Sequence, residues 1–258
     1  MLVAHPMDAT GFGTLASHFT DRTVVTYDPR GLGRSTRHDG RTERTPEQNA
    51  DDIHRIIEAI GVGPVELFAS SGGAVNALAL VAAHPNDVVT LIAHEPPLLA
   101  MLPDADRAFA AERNVQDVYR DRGWGHGMAA FIALTSWKGE FTDDYPAQAA
   151  PDPRNFGLPV EDDGSRDDPL LSGVSNAITA YRPDFPAVAS APTRLVIAVG
   201  AESQELVTGR TSVATARALG QQATVFPSHH GGFLGGEFGQ SGEPEAFAAR
   251  LRQVLDGN

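Results

Sequence analysis

An apolar run, Val65-Glu66-Leu67-Phe68-Ala69, passes through Ser70-Ser71-Gly72-Gly73 straight into a stretch rich in Ala and Leu, with no loop between them. A strand gives way to a helix this abruptly only where the corner residue takes a strained backbone conformation and its neighbours carry almost no side chain. Ala69, Gly72 and Gly73 provide the small positions if Ser71 is the corner; centring the turn on Ser70 puts Phe68 where bulk would clash. Serine is also an ordinary helix N-cap. The strand before it and the helix after it favour a turn that holds out the Ser71 hydroxyl at the carboxyl edge of a parallel sheet.

The flanking sequence has the matching rhythm. Short apolar runs read as strands at Met1–Ala4, Val24–Tyr27, Val65–Ala69, Val88–Ala93, Arg194–Val199 and Thr224–Phe226. Helices are predicted at Pro46–Ile60, where Ile53, Ile56, Ile57 and Ile60 recur at helical spacing, and at Gly73–His84, Leu206–Leu219 and Pro244–Leu255. Strands alternating with amphipathic helices make an α/β fold with a mostly parallel central sheet. After Pro97 the texture changes. Helical patterns at Asp104–Arg122, Met128–Leu134 and Leu170–Tyr181 flank a Pro/Asp/Gly-rich stretch, Asp143–Pro169, and no strand-like run interrupts them. The expected organisation is a core of residues 1–97 and 187–258 carrying a helical insertion, residues 98–186. The acidic run Glu161–Asp168 reads as a solvated loop.

Charge and composition narrow the function. The 258 residues carry a net charge of −13, which repels phosphate backbones and anionic headgroups, so neither nucleic acid nor membrane is an expected partner. No run approaches the ~18 apolar residues of a spanning helix, and the first residues do not read as a signal peptide, so a cytoplasmic location is expected. Cysteine is absent, which removes disulfides, thiolate metal sites and cysteine nucleophiles together. The adjacent His229 and His230 make a poor zinc site, because neighbours seldom face one ion and no third ligand lies at a useful spacing. Neither metal nor cofactor is expected, and the oligomeric state is left open.

With the Ser71 turn in place, the chain resembles the α/β-hydrolase family over nearly all its length. Asp28-Pro29-Arg30-Gly31-Leu32-Gly33-Arg34-Ser35 is similar to that family's loop before the first long helix. As a dinucleotide fingerprint it fails, since Thr36 stands where the third glycine belongs. Its expected role is structural, with Asp28 and Arg30 as a packed ion pair. His5-Pro6-Met7 occupies the place of the family's His-Gly-x, and the resemblance implies an oxyanion hole formed by the backbone N–H groups of Met7 and Gly72. Family members carry two further strands before this point, so the resemblance implies a shortened sheet or a sequence lacking its natural start.

The same resemblance supplies the remaining parts. Phe226-Pro227-Ser228-His229-His230-Gly231-Gly232-Phe233 resembles the loop in which a catalytic His is followed by x-Gly-Phe; that register selects His230, with His229 as the fallback. Family triads run Ser, acid, His in chain order. The commoner acid site, Gly-x-x-Asp after a late strand, reads Gly200-Ala201-Glu202-Ser203 here, with Ser203 where Asp belongs. The other known site follows the strand after the nucleophile helix and is occupied by Glu95. Glu95 is the expected acid and Glu202, one residue off register, the alternative; as an ordinary residue Glu95 would be a rim carboxylate paired with an arginine.

The implied activity is a cofactor-independent serine hydrolase that cleaves a small-molecule carboxylic ester or lactone through Ser71, His230, Glu95 and an acyl-enzyme. A catalytically degenerate binding protein, an acyltransferase and a carbon–carbon bond hydrolase are the alternatives on the same fold. Dehalogenases and epoxide hydrolases of the family carry Asp where Ser71 stands. In the insertion, Trp124, Phe131 and Trp137 are candidates for lining the substrate site, and are equally ordinary helix-packing residues.

Overall fold

Side chains along successive strand residues point to opposite faces, so a sheet buried on both sides needs two apolar sets in alternation. The computed structural model, which describes residues 1–38, 40–147 and 151–257, has this arrangement. Five parallel strands, β1 (Leu2–His5), β2 (Val65–Ser71), β3 (Val88–His94), β4 (Arg194–Gly200) and β5 (Thr224–Phe226), lie side by side in chain order. Leu2, Ala4, Phe68, Ile92 and Ala198 enter one core; Val3, Leu67, Ala69, Leu91, Ala93 and Ile197 enter the other.

Helices α1 (Gly13–Ser17), α2 (Pro46–Ile60) and α3 (Gly72–Ala83) belong to the first part of the chain. Helices α4 (Ala105–Arg122), α5 (Trp124–Ser136), α6 (Asp144–Ala147), α7 (Asn176–Thr179) and α8 (Phe185–Ser190) follow, then α9 (Val207–Ala218) and α10 (Pro244–Leu255). α2 has the predicted bounds because its ends are written in the sequence. Thr45 Oγ1 accepts from the Gln48 N–H at 3.2 Å, Pro46 takes the first turn, and Gly61 closes the helix at φ 70°. α3 is buried from Gly72 to Val81 between α2 and the sheet. Phe247 and Leu251 of α10 pack with Leu15 of α1 on the opposite face.

Three expectations need correction. Val24–Tyr27 is not a strand: a single backbone bond, Leu2 N–H to Val25 O at 2.9 Å, joins it to β1, and one bond makes no ladder. Leu170–Tyr181 is helical only over α7, because the Asp168 carboxylate takes up the Leu170 and Leu171 N–H groups in a local turn and Gly173 sits at φ 82°. Asp28 and Arg30 do not pair. Asp28 accepts from the Ala9 and Arg34 N–H groups at 3.0 and 3.1 Å, whereas Arg30 Nε donates to Asp52 at 2.9 Å.

Among the described residues of 98–186 there is no strand. α4 and α5 close around Ala108, Val115, Tyr119, Leu134 and Phe141, joined by Leu99, Leu171 and Val207. Ile178 of α7 and Val188 of α8 pack instead into the core beneath α3. A buried Asp104–Arg210 ion pair fastens the start of α4 to α9, with Arg210 also donating to Gly139 O at 2.7 Å. The acidic run is exposed over 161–165, whereas Asp168 at its end is half-buried and accepts from the Trp124 indole N–H at 2.9 Å. No helix is long and apolar enough to cross a membrane.

Candidate active site

Ser71, the last residue of β2, is partly exposed at φ 56°, ψ −133°. A non-glycine residue there stores about 1–3 kcal/mol and persists only where its surroundings over-determine it. Those surroundings are tight. A Cβ on Gly73 would lie 2.6 Å from Ala4 Cα, and one on Gly72 would lie 2.8 Å from the His5 carbonyl oxygen, so the start of α3 presses on β1 as only glycine allows. Ser70, the competing serine, turns into the core, where its Oγ lies 3.1 Å from His94 Nδ1.

Ser70 and His94 are register partners on β2 and β3, so Ser71 and Glu95 leave adjacent strands at the same edge. Glu95 is fully buried at φ 49°. Its Oε1 accepts from the Gly200 N–H at 2.8 Å; its Oε2 accepts from Thr208 Oγ1 at 2.5 Å and from His230 Nδ1 at 2.7 Å. Burial opposes its ionisation, but the His230 hydrogen bond and charge, with help from His94 and Thr208, outweigh burial and hold the carboxyl well below its usual range. A carboxylate can only accept, so His230 carries a proton on Nδ1 and, when neutral, keeps a lone pair on Nε2. Among the described residues no arginine pairs with Glu95.

The loop carrying His230 is pinned on both sides. Phe233 packs against Phe12, Phe68 and Phe247, and Gly200 admits the Ser228 carbonyl, which a Cβ would meet at 2.7 Å. His229 is used within the loop, accepting from the Gly231 N–H at 3.0 Å and lying 3.3 Å from Ser241 O. Glu202 is exposed in the turn after β4, and among the described residues no donor engages its carboxylate. Met7 follows β1, whose His5 is the register partner of Ser71, and among the described residues nothing accepts its N–H. Sequence reasoning did not find Thr208, or His94, which lies fully buried behind the site with its ring 6.0 Å from that of His230 and is lowered by burial to about 4. Gly200 carried a signal, as the first residue of the Gly-x-x-Asp pattern, but its contribution is a backbone donor.

The aromatic candidates lie in the packing of α4 and α5. Trp124 bonds Asp168, the Trp137 indole N–H donates to Glu140 O at 2.9 Å, and Phe131 rests on the same cluster. Among the described residues no hydrogen bond or ring contact joins them to Ser71, Glu95 or His230. Among the described residues one group has metal-ligand proximity, with His54, His84 and Asp87 offering atoms within 4.8 Å of one another. It lies before β3, at the sheet's other edge, and its two rings stack face to face at 3.8 Å, which aims their lone pairs in parallel instead of at one point.

A sequence profile of the alpha/beta hydrolase fold family matches residues 12–127. An uncharacterized hydrolase, YraK of Bacillus subtilis (strain 168), is 30% identical over 231 residues, covering 88% of this chain and 79% of its own length. Among solved structures, a thermophilic esterase from Thermogutta terrifontis superposes with a TM-score of 0.63 at 22% identity, over 99% of this chain and 88% of that one. The enol-lactonase from Burkholderia xenovorans LB400 superposes with a TM-score of 0.59 at 18% identity, over 99% and 90%.

Proposed function

This chain belongs to the α/β-hydrolase family, and we propose that it is a serine hydrolase cleaving a small-molecule carboxylic ester or lactone. The observation that carries the reading is the 2.7 Å bond from His230 Nδ1 to a buried, ionised Glu95, with a serine in a strained strand-to-helix turn at the same end of the adjacent strand. Ser71 Oγ attacks the acyl carbonyl as His230 Nε2 takes its proton. The Met7 and Gly72 N–H groups hold the oxyanion. The tetrahedral intermediate collapses, His230 protonates the departing alkoxide, and an acyl-Ser71 ester remains. Water, deprotonated by the same imidazole, releases the acid and restores the serine. Glu95 fixes the imidazole tautomer and stabilises the imidazolium. Residues 98–186 serve as the cap that selects the substrate.

A fluorophosphonate probe, which loses fluoride to an activated serine, tests the reading directly. We expect the probe mass on the peptide containing Ser71, no labelling of Ser71→Ala, and a fall in kcat on an aryl ester of about 10⁴–10⁶ in that variant, with Ser70→Ala far less affected. A folded protein inert to the probe would be a binding protein on this fold, and Ser71→Ala turning over within tenfold of the parent would end the nucleophile assignment.

A further inference from the structure

Arg44 sits where the loop after Asp28 meets the 168–175 segment, with only 8% of its surface exposed. Its backbone N–H donates to Val174 O at 3.0 Å and its Nη2 to Gly31 O at 3.2 Å. Nε and Nη1, three N–H bonds in all, have no acceptor. Buried guanidinium groups are normally paired, and even the less buried arginines of this chain have carboxylate partners: Arg30 with Asp52, Arg210 with Asp104, Arg22 with Glu66. Acids are plentiful, 33 against 20 basic residues, yet among the described residues none bonds Arg44. Asp168 is the acid whose charge reaches it, and both its oxygens are occupied, one by the Leu170 and Leu171 N–H groups and the other by the Trp124 indole.

The neighbourhood connects this cation to the nucleophile. Ser175, next in the chain to the Val174 that Arg44 bonds, touches the ring of His5, which ends β1 as the register partner of Ser71 and whose ring edge lies 3.2 Å from where a Gly72 Cβ would be. Ser175 Oγ donates to Pro169 O at 3.0 Å, so at its 3.2 Å contact with His5 it accepts from Nε2–H. That leaves His5 Nδ1 buried and also without a partner. Burial and Arg44 together lower His5 to about 3, so its ring is neutral and supplies no competing charge.

We infer that Arg44 is an anion-binding subsite beside the nucleophile, and that it takes a carboxylate carried on the acyl or alcohol part of the substrate. One planar monoanion matches one guanidinium fork in charge and shape. The subsite itself stands on Arg44; only the carrier, an ester or lactone, rests on the serine-hydrolase reading.

Calorimetry with pentanoate and its neutral isostere pentanamide reads the subsite without turnover. Pentanoate is expected to bind the parent protein at least tenfold more tightly than the amide, as a charge-assisted bond implies, and Arg44→Gln to lose that preference. Arg44→Lys, which keeps the charge but not the fork, should fall between, and it carries the test if Arg44→Gln does not fold. In the kinetic arm, p-nitrophenyl hemiglutarate and p-nitrophenyl pentanoate are compared, and Arg44→Gln should depress kcat/KM for the first at least tenfold more than for the second. Equal affinities for pentanoate and pentanamide in the parent, or equal losses on both esters, would overturn the subsite. Intact pentanoate preference with neither ester cleaved would uphold it and sink the hydrolase reading instead.

Discussion

Four non-glycine residues among those described have a left-handed backbone, and three of them, Ser71, Glu95 and Ser228, are members of the proposed triad or stand two residues before His230. Strain of this kind costs about 1–3 kcal/mol per residue, so it is stable only where hydrogen bonds and packing permit nothing else, as the three hydrogen bonds on the Glu95 carboxylate illustrate. Those bonds make the choice of acid testable. Glu95→Gln places an amide against His230 Nδ1 and removes the charge that stabilises the imidazolium; kcat on an activated ester should fall by roughly 10²–10⁴. Glu202→Gln, changing an exposed side chain, should stay within about twofold. A crippled Glu202→Gln beside a near-normal Glu95→Gln would reverse the assignment. Ser71, His230 and Glu95 could be singled out as candidates in the sequence because each stands at or after the end of a strand, in the order that family triads keep. Thr208, His94 and Arg44 could not, since their roles depend on which side chain a neighbouring element happens to face. Their local sequence carries no mark of it.

Elements were legible where both ends and the buried face are local facts. α2 has a capping threonine, a proline in its first turn, a left-handed glycine and four isoleucines at helical spacing, and its bounds follow. Val24–Tyr27 has a strand's composition, but a strand also needs a partner that local sequence does not reveal, and here β1 supplies one bond. Leu170–Tyr181 has apolar residues at tolerable spacing, yet Asp168 captures the first N–H groups and Gly173 adopts a positive φ. The packing of α3 against β1 is the element-scale feature that fixes the serine turn, and Gly73 is its narrowest point. Gly73→Ala puts a methyl 2.6 Å from Ala4 Cα and 2.8 Å from Val3 O, both backbone atoms that cannot rotate away. Overpacking against a rigid partner should destabilise the fold by roughly 2–3 kcal/mol, or about 5–10 °C in Tm for a chain of this size. A thermal melt within 1 °C of the parent would mean that α3 can slide, and the turn would then be less constrained than its geometry implies.

The molecule as a whole is an acidic protein whose helical segment is tied to the sheet by polar as well as apolar contacts. The Asp104–Arg210 pair fastens one end of α4. Further along α4, Glu112 is raised to about 7, chiefly by burial and against the nearby Thr179 of α7 and Arg113. Through Thr179 it neighbours α7, which packs on α3 through the core. The sign follows from linkage. A carboxyl whose folded pKa lies above its unfolded value binds its proton more tightly in the native state, so its contribution is fully present below about 4.5 and is lost as pH rises through about 7. The net charge of −13 acts in the same direction, since self-repulsion grows as remaining carboxyls ionise. Substitution separates the two effects. Glu112→Gln mimics the protonated side chain at every pH and leaves the remaining charges in place. Its melting temperature should coincide with the parent's near pH 4 and exceed it at pH 8 by the equivalent of roughly 1–3 kcal/mol. Melting curves measured across that range decide the matter. Parallel Tm–pH profiles for parent and variant would show that Glu112 titrates as an ordinary surface acid, and the pH sensitivity of the fold would then belong to its net charge alone.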